Sequence, residues 1–291
     1  MRGAHSIAFL VLSTMLLAAC GPTNAVVPTP APTFAPVTAA TTTAAQETIT
    51  VMTYNILDGG GVGPTDPNGK WCCGPPPRGC CGAMGGNRLP RILDVIKAAN
   101  PDILGIQEAF LWQLDDEAIA RQVAAELGMN YFLGQSGDPD GAHVALFTKF
   151  KIARAENYPG SFETGDEPGR ARAGMHAELI TASGLTLHVF VVHLRPYAAE
   201  VSFLLEQMRP HMDDLTLLLG DMNFTDPSDQ ASALRDAGWR HPLARQQFID
   251  QIWTSSRLES YVQSGPWISP DLIRWTSDHA PYVVTIGIPL Q

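Results

Sequence analysis

Over most of its length the chain is predicted to fold as a layered α/β domain with mixed sheets. Three observations carry this. Apolar or alternating runs of strand length intermix with segments whose apolar residues recur at helical spacing, which fits neither an all-α nor an all-β chain. Two strand-like runs, Gly174 to Ile180 and Leu185 to His193, follow each other closely and read as hairpin neighbours, excluding a purely parallel sheet. About 240 residues remain after an uncharged N-terminal stretch, a length that suits one large domain better than two. No internal repeat is evident.

The chain opens with what reads as an export signal over residues 1–19. Arg2 supplies the positive start, Ile7 to Leu17 an apolar run too short to span a membrane stably, and Leu17-Ala18-Ala19-Cys20 a small-residue site. This last run resembles the bacterial lipobox, which implies a lipidated Cys20 and anchoring on a membrane outside the cytoplasm. Residues 20–46 are Pro, Thr, Ala and Val without charge or period; Pro28, Pro30, Pro32 and Pro36 keep the segment extended, as a tether. The folded domain is expected over residues 47–291, as a monomer.

The net charge is −10, and losing Arg2 with the signal takes it to about −11. Without a basic stripe, the chain is a poor match to proteins that grip long nucleic acid through their own surface. The charge tilts the substrate toward something smaller, although bound divalent cations can invert the sign of a site locally. Of the five cysteines, four lie together in WCCGPPPRGCCG, within a Gly- and Pro-rich loop from Asp58 to Asn87. Outside the cytoplasm an even set implies disulfides: Cys72 with Cys81 and Cys73 with Cys80, or Cys72 with Cys80 and Cys73 with Cys81. The alternative is a tetrathiolate zinc site, whose usual C-x2-C spacing adjacent cysteines fit poorly.

Within the domain, Glu47 to Ile56 alternates as a strand ending at Asn55, and RLPRILDVIKAAN spaces Leu89, Ile92, Leu93 and Ile96 as a helix. PDILGIQE gives a strand ending at Gln107 and Glu108, and Leu111 to Leu127 a helix. Tyr131 to Leu133 and His143 to Thr148 add strands before the hairpin that ends at His193. Ala198 to Met212 reads as a helix, Thr216 to Leu219 as a strand covered on both faces, and Gly220 as a sharp turn presenting Asp221 and Asn223. A helix over Ser228 to Ala237, capped by Asp226 or Ser228, precedes the closing strands FIDQIW and APYVVTIGI.

Polar residues thus recur where apolar segments end: Asn55, Glu108, His193, Asp221, Asn223, Asp250 and Asp278-His279. Singly, each is an ordinary turn or cap. Together they suggest convergence on one edge of the sheets, where a catalytic floor is held rigidly. The residue types fit hydrolysis of a phosphate ester, which needs a cation, a positioned water, donors to phosphoryl oxygens and an acid for the leaving oxygen. Oxygen ligation by Glu108 with Asn55 or Asp278 favours Mg2+ or Mn2+ over Zn2+.

NIL after the first strand, then IQE, VVHL, GDMN, IDQIW and SDH, occur in the order and rough spacing of the endonuclease/exonuclease/phosphatase superfamily, which the chain resembles from about Ile49 to Ile286. The resemblance implies a four-layer α/β sandwich of two mixed, largely antiparallel sheets flanked by helices, as in deoxyribonuclease I-like proteins. It implies that Glu108 binds catalytic Mg2+ with help from Asn55, and that Asp278 assists the metal or His279. His193 would contact the scissile phosphate or protonate the leaving group, Asp221 orient or activate water, and Asn223 donate to a phosphoryl oxygen. Asp250 would hold His279 in one tautomer. Arg195, with Arg170 or Arg172, could grip a second phosphate, and the Cys-rich loop, longer than the family's usual connection, could select substrate. The Trp residues at 239, 253, 267 and 275 read as core or rim aromatics. The expected activity is Mg2+-dependent hydrolysis of a phosphodiester, in a nucleic acid or a phospholipid headgroup. Its rivals are a phosphomonoesterase on inositol or sugar phosphates and a catalytically silent surface receptor.

Overall fold

The computed structural model describes residues 46–61, 87–137, 141–158, 172–243 and 248–290. The expected export signal and tether with Cys20, the four loop cysteines Cys72, Cys73, Cys80 and Cys81, and Arg170 lie outside these residues.

Two sheets face each other. In spatial order the first holds β10 (Val262–Ser264), β11 (Tyr282–Pro289), β1 (Gln46–Asn55), β2 (Ile103–Gln107), β4 (Val144–Thr148) and β3 (Asn130–Gly134). The second holds β5 (Lys151–Asn157), β6 (Gly174–Ile180), β7 (Thr186–His193), β8 (Thr216–Asp221) and β9 (Asp250–Thr254). Among the described strands β1–β2 and β7–β8 pair in parallel and the other neighbours are antiparallel, so both sheets are mixed.

Strand periodicity sorts the side chains into three apolar layers. Ile49 and Val51 of β1, Val189 and Val191 of β7, Leu217 and Leu219 of β8 and Ile252 of β9 meet between the sheets. Met52, Tyr54, Leu104 and Ile106 point the other way, against α1 (Leu89–Ala99) and α2 (Leu114–Leu127). Phe190, Val192 and Leu218 do the same on the second sheet, beneath α3 (Ala198–Met208) and α4 (Asp229–Asp236). At about 1.5–3 kcal/mol for each fully buried large apolar side chain, these layers dominate the stability of the sandwich. The result is helix, sheet, sheet, helix, the four layers implied by the resemblance.

Several local expectations need correction. Gly220 does not turn: β8 runs straight through it to Asp221, and a Cβ there would stand 2.2 Å from the Val192 carbonyl oxygen. The glycine lets β7 and β8 lie close together, and the chain turns instead at Asn223, whose φ is +53°. The second helix runs from Leu114 rather than Leu111, where φ is positive, and its first turn is kinked, since Asp115, Asp116 and Glu117 also have positive φ and regular helix follows only after them. α3 ends at Met208, and Arg209–His211, with Pro210, continues as a 3-10 turn. The strand β5 was not expected; KIARAEN lacks a clean apolar alternation because this strand lies at the sheet edge with Lys151 and Arg154 exposed.

Candidate active site

The inter-sheet core opens at one end into a polar mouth, and strand parity explains which residues line it. Continuing Val189 and Val191 by two brings His193; continuing Leu217 and Leu219 brings Asp221; two before Ile252 stands Asp250. Register sets these three side by side, since His193 pairs with Asp221 and Asp221 with Asp250. On the facing sheet the same count from Ile49 and Val51 reaches Thr53 and Asn55, with Asn55 paired to Gln107. Glu108 follows at once, its φ of +60° ending the strand.

Hydrogen bonds join the two sheets here. Asn55 Nδ2 donates to Glu108 Oε1 at 3.2 Å and to Asp221 Oδ2 at 3.0 Å, while its Oδ1 accepts from the Leu57 amide at 3.0 Å. That last bond orients the carboxamide with its NH2 toward the carboxylates. Glu108 Oε2 takes the Asp58 amide at 3.0 Å. The next turn is tight: Gly59 has a φ of +64°, and a Cβ on it would meet the Phe110 carbonyl oxygen at 2.5 Å. Only glycine lets this turn press on the segment carrying Glu108.

Two histidines flank Asp221. His193 Nε2 lies 3.3 Å from Asp221 Oδ2, and His279 Nε2 lies 3.9 Å from the same oxygen. The second distance exceeds a hydrogen bond, so an oxygen placed beside it can be reached from both groups. His279 Nδ1 bonds Asp250 Oδ2 at 2.7 Å, which fixes the ring. Arg172 Nη1 sits 2.8 Å from His193 Nδ1 and 2.6 Å from Nε2. An arginine only donates, so the guanidinium places a fixed positive charge against the His193 ring beside Asp221.

Charge balance follows. Burial raises the Asp221 carboxyl, but the hydrogen bond and charge of His193, the charge of His279 and the Asn55 amide outweigh it and bring it down to about 2. Burial would also raise Glu108, yet His193, the Asp58 amide and Asn55 hold it below its usual value. His279 is lowered by burial and raised more by Asp250, Asp221 and Asp278, ending at about 9. Burial depresses Arg172 against the pull of Glu108 and Asp221.

The residues present fit a hard divalent cation. Asp221 and Asp250 offer carboxylate oxygens that lie, with the His279 ring, within 4.8 Å of one another. Asp250 Oδ1 is buried without a hydrogen-bond partner, the signature of an oxygen kept for something else. Glu108 and Asp221 are ionised and joined through Asn55, and the donors are carboxylate oxygens rather than thiolates.

The structure therefore gathers Asn55, Glu108, Arg172, His193, Asp221, Asp250 and His279. Asn223 stands at the rim, its amide N–H on Asp221 Oδ1 at 2.9 Å and its Nδ2 on the Leu194 carbonyl at 2.9 Å. Asp278 is exposed and takes the Ser277 hydroxyl at 3.3 Å. Arg195 gives its amide to Glu200 Oε2 at 2.6 Å. Trp239 and Trp253 are core, whereas Trp267 and Trp275 face solvent.

Two positioning residues were not foreseen. Arg88 is fully buried and donates to the carbonyls of Ile56, Leu57 and Thr276, tying the turn after Asn55 to the approach to His279. Ser277 Oγ donates to the Asn55 carbonyl at 2.7 Å and accepts the His279 amide at 3.2 Å. An arginine beside a helix start and a serine before Asp-His carry no sequence signal of such roles.

Comparison with known proteins agrees with this geometry. No functionally curated sequence matches the chain. The structure resembles an endonuclease/exonuclease/phosphatase family protein from Bacteroides thetaiotaomicron, with a TM-score of 0.59 and 20% identity over 84% of this chain and 100% of that one. It also resembles the human Nocturnin catalytic domain with bound sulfate, at 0.57 and 16% over 83% and 96%. A third likeness is ANGEL2, a 2′,3′-cyclic phosphatase in complex with adenosine-2′,3′-vanadate, at 0.57 and 15% over 84% and 97%. At these identities the likenesses show the fold. The sequence signature described as the Endonuclease/Exonuclease/phosphatase family matches residues 52–279, most of the chain and every residue of the polar mouth, so the chain belongs to that family.

Proposed function

We propose that this protein is a Mg2+-dependent phosphodiesterase whose reaction centre is the polar mouth of the sandwich. The observation that carries the reading is the inward-facing row His193, Asp221 and Asp250, closed from the facing sheet by Asn55 and Glu108 and from the side by His279. Other proteins of this fold hold oxyanions, a sulfate in Nocturnin and a vanadate in ANGEL2, which supports a phosphate ester as the ligand here. Glu108, with Asp221 or Asp250, would hold Mg2+, which neutralises charge on a phosphoryl oxygen when bound.

The chain's own groups do the rest. Asp221, near 2, is too weak a base to strip a proton from water, and it orients the nucleophile through a hydrogen bond. His279, near 9, is a cation at neutral pH; facing the same oxygen, it donates to the phosphoryl group. Arg172 adds a second fixed positive charge beside His193. His193 and Asn223 supply N–H donors to the leaving or non-bridging oxygens.

Exposed aromatic surface favours a diester with an apolar or heterocyclic leaving part. Trp275, which is 43% exposed, lies four residues before His279, and Trp267 is 79% exposed on the same connection. Such faces stack on bases or rest on lipid.

The test is turnover of bis-p-nitrophenyl phosphate, p-nitrophenyl phosphate, DNA, RNA and sphingomyelin by purified protein, with Mg2+ or with chelator. Chelator-sensitive diester hydrolysis, lost in Glu108→Gln, is expected. Monoester turnover alone would move the reading to a phosphatase, and no turnover to a binding protein. We read Cys20 as a lipid anchor outside the cytoplasm and the four loop cysteines as two disulfides. Fatty-acid labelling lost in Cys20→Ser, and non-reducing mass mapping, check these.

A further inference from the structure

A second cluster of titratable groups lies on the other face of the second sheet, outside the polar mouth. His188 and His193 share β7 but sit an odd number of residues apart, so they point to opposite faces and stand about 17 Å apart along the strand. His188 points to the helix side, where His176 of β6 lies diagonal to it, because Glu178 is the residue directly opposite. His211, on the 3-10 turn that ends α3, closes over the pair.

The three rings are in contact. His176 Nε2 is 3.0 Å from His188 Nδ1, and the His211 ring stacks on His188 at 4.1 Å between centroids. Carboxylates surround them: Asp214 Oδ2 lies 3.3 Å from His211 Nδ1 and 3.7 Å from His188 Nε2, and Glu156 Oε1 lies 3.4 Å from His176 Nδ1. His176 and His188 are buried, at 4% and 8% exposure. Burial favours their neutral form, bringing His176 down to about 4. Three imidazoles brought together where this face passes from Glu178 and Thr216 to the apolar Phe190, Val192 and Leu218 are an expensive choice for packing alone.

We propose that His176, His188 and His211, with Asp214 in support, form a transition-metal site, for Zn2+ or a similar borderline divalent ion, which pins the end of α3 to the second sheet. The three imidazoles each bring a ligand nitrogen, all within 4.8 Å of one another. Ligands of a tetrahedral ion at about 2.0–2.1 Å stand about 3.3 Å apart, so the longest separation must close by about 1.5 Å. His211, on a short turn near the surface, supplies that movement by a side-chain rotation. Imidazole nitrogens with one carboxylate select Zn2+, Cu2+ or Ni2+ over Mg2+. The site stands independently of the proposed reaction, since it shares no residue with the polar mouth.

The test is Zn2+ titration of the full chain by calorimetry, with excess Mg2+ present, and Co2+ substitution followed by absorption. One Zn2+ equivalent is expected, together with Co2+ d–d bands lacking the intense thiolate charge-transfer band that the loop cysteines would give. His211→Ala, at a partly exposed position that tolerates truncation, and His188→Gln should each weaken Zn2+ at least tenfold, while His279→Ala keeps it. Absence of Zn2+ binding, a thiolate band, weakening of less than tenfold in His211→Ala, or loss of binding in His279→Ala each overturns the proposal. If His188→Gln fails circular dichroism, His211→Ala decides alone.

Discussion

The polar mouth is built in two ways. Its strand-borne half, His193, Asp221 and Asp250, lies on adjacent strands in register, each side chain continuing an alternation that began in the core. Its loop-borne half, Glu108 with the Asp58 turn, the Leu194–Tyr197 segment and Ser277–His279, has no ladder to hold it. Buried polar residues hold it instead: Arg88 bonds three carbonyls beneath one pair of loops, and Glu200 accepts the Arg195 amide beneath another. Chemistry needing fixed distances sits mostly on the sheet, and the loops approach it on polar anchors that themselves cost burial. Asp221 and Asp250 are like charges directly opposite, an arrangement the ladder alone disfavours. His193 and His279 make it tolerable.

Removing either of the two carboxylates that Asn55 bridges, Asp221 from the strand-borne half or Glu108 from the loop-borne half, should have the largest effect. Asp221→Asn or Glu108→Gln keeps shape and removes charge, and kcat on a diester substrate should fall by about 10³-fold or more. Circular dichroism and the thermal midpoint should change little by comparison. Retention of a tenth of the activity by either variant would sink the assignment of the reaction centre.

Asp250→Asn comes next, because it acts through His279. The carboxamide removes the negative charge behind the ring and offers an NH2 that can turn it to the wrong tautomer, and kcat should fall by about 10²- to 10³-fold. His279 stays protonated up to about 9 in the wild type, chiefly because Asp250 opposes its burial. Removing that carboxylate must lower its pKa toward the ordinary 6.5. In the metal-free protein, NMR titration of the His279 ring should therefore show its midpoint moving down in Asp250→Asn. An unmoved midpoint would separate Asp250 from His279.

On the loop side, Arg88→Met keeps the apolar stem and removes the guanidinium. The carbonyls of Ile56 and Thr276 lose this donor while that of Leu57 keeps the Gly60 amide at 3.1 Å, at about 1–3 kcal/mol for each buried group left unpaired. A loss of about 3–5 kcal/mol in a urea melt is expected, with about tenfold lower kcat as the Asn55 turn and the His279 approach loosen. A stability loss without any change in kcat would make Arg88 a purely structural residue.

The same division explains what was legible in the sequence. β1, β2, β7, β8 and β9 announce themselves through apolar runs, and the polar residue that ends β1, β7 or β8 or begins β9 falls where strand parity carries it. Asn55, His193, Asp221 and Asp250 could therefore be named without coordinates. Gly220 misled because glycine signals a turn in isolation, whereas here it answers a close approach by β7 that only the parallel pairing creates. The roles of Arg88, Ser277 and Glu200 are set by partners far along the chain, such as the Arg88 bond across 188 residues to Thr276, and no local pattern encodes these. The imidazole cluster was invisible for the same reason, since His176, His188 and His211 meet only through the β6–β7 register and the end of α3.

The smallest expected effect sharpens the loop side and has an unusual sign. Glu200 is buried on α3, with Oε1 unpartnered and Oε2 on the Arg195 amide; burial pushes its carboxyl up to about 7 from the ordinary 4.5 despite the nearby arginines. Most folded-state carboxylates move down and stabilise the protein above their unfolded pKa. Glu200 moves up, so between about 4.5 and 7 the folded protein keeps a proton that the unfolded chain has released. Stability contributed by this group is present below 4.5, falls as pH rises through that window, and is flat above it. Glu200→Gln cannot titrate and still offers an oxygen to the Arg195 amide. Its stability relative to wild type should rise between pH 4.5 and 7, by at most about 3 kcal/mol, as read from urea melts at a series of pH values. A difference independent of pH would mean that Glu200 is ionised throughout, paired with Arg172 or Arg195, and that the segment after His193 is held by an ion pair instead of a neutral carboxyl.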